Sequence, residues 1–70
     1  MNWYKLQRLN FIDCYLFNNH QINRKDLINY YGISIPQATK DIADYKKIAP
    51  KNIKYNKNKK RYETTKKFKP

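Results

Sequence analysis

Few side chains in this sequence could do covalent chemistry, and many could meet an anion. Cys14 is the one cysteine and His20 the one histidine, so neither an internal disulfide nor a structural zinc cluster can be assembled. There is no glycine-rich phosphate loop, and the five acidic residues form no evident pair in a pocket. Cys14 sits within an apolar pattern and reads as a small buried hydrophobe, His20 as an exposed loop residue. The residues therefore point away from an enzyme, a metal site and a bound cofactor.

The anion-binding side is richer. Lys+Arg number 16 against 5 Asp+Glu, a formal net charge of +11. Nine of those cations lie in residues 51–70 beside a single acid, Glu63, so the excess gathers towards the C-terminal end. A codon bias towards lysine would raise the count without producing that asymmetry. A cationic block on a folded domain selects phosphate, from nucleic acid or from an anionic membrane surface. Two clusters could use it. Ser34, Pro36, Gln37, Thr39 and Lys40 crowd the start of one helical stretch; Lys57, Lys59, Lys60 and Arg61 crowd a polar turn. Arg24 stands apart as a further candidate for the phosphate backbone.

The elements that would carry these residues follow from caps and periodicity. Seventy residues allow one domain with a small core. Asn23 is a good N-cap and Asp26 puts an acid near the positive end of the same helix, whose buried side is marked by Leu27, Ile28 and Tyr31. Gly32 supplies the left-handed residue that ends it. Ser34 restarts a helix, with Ser34-Ile35-Pro36-Gln37 forming a capping box and proline in the first turn. Ile35, Ala38, Ile42, Tyr45 and Ala49 then make one core-facing stripe, opposite Gln37, Lys40, Asp41, Asp44 and Lys47. Two short helices joined by a glycine turn make a helix-turn-helix signature, which ordinary helical hairpins also show.

Around that motif, Trp3 to Phe17 reads as a first helix with Trp3, Leu6, Leu9, Ile12 and Leu16 on one face. Tyr4, Phe11 and Tyr15 form a second strip, facing either the chain's own small domain or a partner. Gln21-Ile22 allows a residue or two of strand. Pro50 stops the helix begun at Ser34. Beyond it, Ile53-Lys54-Tyr55 and Arg61-Tyr62-Glu63-Thr64 alternate around Asn56–Lys60, a β-hairpin with Tyr55 and Tyr62 as a cross-strand pair and asparagines taking the positive φ angles of the turn. Such a hairpin is marginal alone and must rest on the first helix or on Ile22. The expected fold is mainly α with a small β-hairpin, a winged helix-turn-helix of three helices plus a wing. It spans residues 1–65, with 66–70 a frayed basic tail. No apolar run reaches the roughly 20 residues that cross a bilayer, and no signal-peptide pattern is visible, so no membrane role and a cytoplasmic, DNA-associated location are expected.

At this point the sequence resembles a family. Arg8-Leu9-x-Phe11-Ile12, Ile22-Asn23-Arg24-x-Asp26-Leu27, Tyr31-Gly32-Ile33-Ser34-x-Pro36-Gln37-Ala38-x-x-Asp41, Tyr45, Ala49-Pro50-x-Asn52, Tyr55, Lys60-Arg61-Tyr62 and Phe68-x-Pro70 are similar to the N-terminal winged-helix domain of WYL-domain transcriptional regulators, and among these to the BrxR/CapW-type repressors of phage-defence operons. The resemblance covers nearly the whole chain in register. It implies sequence-specific binding of double-stranded DNA, by a homodimer on inverted repeats. Those regulators continue into a ligand-sensing WYL domain and a dimerisation domain, whereas this sequence stops where their DNA-binding domain would end. It is thus expected to be either a piece of such a regulator or a minimal protein of a phage or mobile element. Ligand response is not carried over.

On this reading the helix begun at Ser34 enters the major groove. Gln37 could pair with adenine or close the capping box, Lys40 could reach guanine or a phosphate, and Pro36 and Thr39 could touch a thymine methyl. The wing cations Lys57, Lys59, Lys60 and Arg61 would follow phosphate or enter the minor groove. Two other functions stay open. A winged helix can act as an adaptor whose aromatic strip, Tyr4, Phe11 and Tyr15, grips a nuclease or replication protein. Its tyrosines could also stack single-stranded bases, although most are needed for the core.

Overall fold

A computed structural model describes residues 3–70 of the chain. The elements run α1 (Trp3–Asn19), β1 (Gln21–Ile22), α2 (Arg24–Tyr31), α3 (Ile35–Ile48), β2 (Ile53–Asn56) and β3 (Arg61–Thr64). The strands form one antiparallel sheet in the order β1-β3-β2. This is the three-helix, winged architecture that the sequence predicts, with α1 two residues longer than expected.

Caps explain where α2 and α3 begin and end. The Asn23 side chain accepts from the Asp26 backbone N–H, and also from Arg24 N at 2.8 Å, while the Asn23 N–H donates to the Asp26 carboxylate at 2.8 Å, so α2 carries the reciprocal capping box. Gly32, at φ 67°, closes α2 in the left-handed region. Ser34 Oγ accepts from Gln37 N at 3.2 Å, but the Gln37 side chain turns away to Asp41, so the box expected on α3 is only half formed.

The wing is held as the sequence requires. Ile22 in β1 lies opposite Tyr62 in β3, and Tyr55 in β2 lies opposite Tyr62 with ring centroids 4.9 Å apart. A third strand of two residues thus turns a marginal hairpin into a sheet. The positive φ at the tip belongs to Lys60 (54°) rather than to an asparagine; Asn56 instead accepts from the backbone N–H groups of Asn58 and Lys59.

The core is Leu9, Ile12 and Leu16 of α1, Ile22, Leu27, then Ala38, Ile42 and Tyr45 of α3, and Ile53. Several expectations fail at its edges. Trp3 and Leu6 are exposed, and the first turn of α1 instead turns Lys5 towards α3. Cys14 is exposed as well, on the side of α1 turned from the core. Ile35 heads the expected core stripe yet is 59% exposed, and Asp41, expected on the solvent side, is wholly buried. The tail is docked rather than frayed. Phe68 packs on the core, and Asn52, itself buried, accepts from Lys69 N at 3.0 Å and donates to Lys69 O at 2.6 Å. Thr65 adds a hydroxyl bond to the Lys51 carbonyl.

Candidate nucleic-acid interface

Asp41 fixes how α3 sits, so the interface begins with it. Its Oδ1 accepts from Lys5 Nζ at 2.5 Å and from Gln37 Nε2 at 2.8 Å, and its Oδ2 accepts from Arg8 Nε at 2.6 Å. Lys5 also reaches Asp44 Oδ2 at 2.7 Å. Burial pushes the Asp41 carboxyl up, but the hydrogen bonds from Arg8, Lys5 and Gln37 outweigh it and hold the group below the usual carboxylate range. At the other end of α3, Tyr45 donates to Asp13 at 2.5 Å and accepts from Asn52 at 3.2 Å. Burial, then the bond to Asp13, push its hydroxyl up to about 12. These two polar clamps and the apolar side chains between them seat α3 on α1, which turns the first half of its opposite flank to solvent.

That flank meets the wing. A groove of about 440 Å³ runs between the start of α2, the first two turns of α3 and the inner face of the hairpin. Arg24 and Lys25 stand on one side, Ile35 and Thr39 on the second, Tyr55, Lys60 and Tyr62 on the third. Arg24 Nη1 donates to Thr39 Oγ1 at 3.4 Å, linking α2 to α3 across the groove. Asn23 Nδ2 donates to the Lys60 carbonyl at 3.3 Å, tying the wing tip to the cap of α2.

The structure does not bring together all of the residues singled out by sequence. Arg24, Thr39 and Lys60 come together in the groove, while Ser34, Pro36 and Lys40 are exposed on the same half of α3. Lys40 lies 3.7 Å from Asp44 and keeps most of its side chain in solvent. Gln37 is half-buried and its amide nitrogen gives one of its two N–H groups to Asp41, which fixes how the other N–H and the amide oxygen can be presented to a base. Lys57 is exposed at the wing tip. Lys59 and Arg61 lie on the other side of the sheet, in a shallow hollow with Tyr15 and Asp26, and Arg61 Nε donates to Glu63 at 2.9 Å.

Of the aromatic strip, Tyr4 is exposed, whereas Phe11 and Tyr15 are half-buried against α2. Phe11 stacks on Tyr30 with centroids 4.7 Å apart, and Tyr15 donates to Asp26 at 3.0 Å. Sequence reasoning missed Ile35, Lys25 and Tyr55 as groove residues. Ile35 was hidden by its fit to the core period; Lys25, next to the N-cap Asn23 and Arg24, was readable as an exposed first-turn cation.

Among the described residues no group of three or more His, Cys, Asp or Glu is placed to hold a metal ion, and no helix is long and apolar enough to cross a membrane.

The comparisons agree on one group of proteins. The family model of the BrxR transcriptional regulator winged helix-turn-helix domain matches residues 5–70. A DNA-binding transcriptional repressor CapW from Escherichia coli (strain KTE188) is 44% identical over 68 residues, covering 97% of this chain and 23% of the relative. CapW proteins from Pseudomonas aeruginosa (43% identical, 96% of this chain, 22% of the relative) and Stenotrophomonas maltophilia (40%, 100% and 23%) match in the same way. The chain thus spans less than a quarter of the length of these curated relatives.

Proposed function

The chain belongs to the BrxR winged helix-turn-helix family, and from that premise we propose that it binds double-stranded DNA sequence-specifically, as the DNA-reading part of a cytoplasmic transcriptional repressor. The observation that carries this reading is the shared groove: the exposed start of α3 and the wing tip line one surface whose rim is cationic. That is the shape and charge a duplex asks for, a helix end for the major groove and cations for the flanking phosphates. The role is binding rather than catalysis, as in the repressors it resembles.

Each part has a task. The first turns of α3 enter the major groove with Ser34, Pro36, Thr39 and Lys40 outward. Gln37 has two tasks open to it: reading an adenine with its amide oxygen, or stiffening the helix through Asp41. Arg24 clamps the backbone beside them, and Lys57, Lys59, Lys60 and Arg61 serve the backbone or the minor groove, Lys60 from within the groove and Lys59 and Arg61 from the far side of the wing. A homodimer on inverted repeats would place two such surfaces on one face of the duplex, as half-site geometry demands.

Selection of bound sequences from a random duplex library tests the reading. An enriched consensus supports it, and a palindromic one supports the dimer. If about five phosphates are neutralised per monomer, log K falls against log salt with a slope near −4 to −5. A second reading, a protein adaptor, draws on Trp3 and Tyr4, which are 64% and 68% exposed at the start of α1. Co-purification of a nuclease or replication protein together with no duplex binding at moderate salt would favour it.

A further inference from the structure

We propose that Ile35 is a specificity-determining residue that packs against the C5 methyl group of a thymine in the major groove. The proposal rests on the duplex-DNA reading and adds a residue and a base to it. By spacing, Ile35 belongs to the core stripe of α3, yet it is 59% exposed and the core contacts of the helix begin three residues later, at Ala38. It is the first residue of α3, and the N-terminal residues of a recognition helix are those that meet base edges. Its side chain lines the same groove as Arg24 and Lys60 rather than covering the core.

What fits there is set by chemistry. The rim is cationic, so the occupant is anionic overall, and the residue inside is a branched hydrocarbon, so the atom it meets is apolar. A DNA duplex supplies both at once, because thymine alone among the four bases presents a methyl group in the major groove. The polar alternatives nearby are partly spent. Gln37 has its amide nitrogen on Asp41 at 2.8 Å, and Arg24 directs one of its N–H groups to Thr39 at 3.4 Å. Ile35 adds an apolar contact beside the polar groups that Ser34, Thr39 and Lys40 offer.

The test uses the duplex enriched by the chain from a random library, with each thymine replaced singly by deoxyuridine, which lacks that methyl group. At one position the replacement weakens the unaltered chain by about threefold to tenfold, the expectation for a lost methyl contact. Ile35→Ala binds the thymine and deoxyuridine duplexes equally, and Ile35→Val keeps part of the difference. Because Ile35 is exposed, thermal melts of both variants stay within a few degrees of the unaltered chain. A consensus with no uridine-sensitive step, or one where Ile35→Ala keeps the full difference, overturns the proposal and leaves the DNA reading standing. Failure to enrich any duplex overturns both.

Discussion

Asp41→Asn keeps the shape of the side chain and removes its charge. Asp41 is wholly buried, and Lys5 and Arg8 donate to it at 2.5 and 2.6 Å with side chains only 13% and 14% exposed. The amide could still accept from Gln37, and Lys5 would keep Asp44 at 2.7 Å, but the nearly buried Arg8 guanidinium would face a neutral group. Breaking a buried ion pair from one side costs about 3–5 kcal/mol. A domain of this size has about 4–10 kcal/mol in all, at 0.05–0.15 per residue. About a third or more of the stability is therefore at stake, and at 4–8 °C per kcal/mol the melting temperature should fall by about 12 °C or more. Circular-dichroism melts at pH 7 read this directly.

The pH dependence supplies the second arm of the test. The folded Asp41 carboxyl sits below its unfolded value, so its contribution is complete above the ordinary carboxylate range and fades as pH falls through the folded value. The unaltered chain should thus lose stability below about pH 4, and Asp41→Asn should show a flatter acid limb. Replacing Lys5, Arg8 and Asp41 together by apolar residues of similar volume should restore much of the loss, since the penalty comes from buried charge that Asp41 no longer compensates. A melting temperature for Asp41→Asn within about 3 °C of the parent, or an unchanged acid limb, would refute the reasoning.

Three further outcomes are expected. Lys59→Ala with Lys60→Ala should weaken matched and scrambled duplexes alike and make the salt slope shallower by about 2, measured by gel shift across a salt series; a loss confined to the matched duplex counts against a backbone role for the wing. Gln37→Ala should lower discrimination between the two duplexes if the glutamine reads a base, and should instead lower the melting temperature with discrimination intact if it only braces Asp41. Asn52→Ala should cost about 1–3 kcal/mol and release the tail, seen as faster hydrogen exchange at the Lys69 amide, and unchanged exchange there would show that Phe68 alone holds the segment.

What could be read from the sequence was what local chemistry decides. Asn23, Gly32 and Ser34 announce the ends of α2 and α3 by cap rules that act within four residues, and the hairpin follows from alternation around a polar turn. The misreadings concern partners that are distant in sequence. Asp41 looks solvated on a helical wheel, because its counterions Lys5 and Arg8 lie 36 and 33 residues away on α1. Ile35 looks buried because periodicity says which side a residue is on and not whether anything reaches that far along the helix. Asn52 gave no sign of clasping Lys69, since the bond pairs a loop with the backbone of a segment 17 residues on. In the candidate interface the cations were legible, while the apolar floor contributed by Ile35 and Tyr55 was not.

The division of α3 into a seated side and an open side has a consequence for how such domains diversify. Ala38, Asp41, Ile42 and Tyr45 hold the helix to the body, and none of Ile35, Pro36, Thr39 or Lys40 is buried. If these four residues read the duplex as proposed, a lineage could exchange them, and with them the address on the chromosome, while the mount beneath stays the same. Retargeting would be a surface edit, free of the repacking that a change of core residue brings.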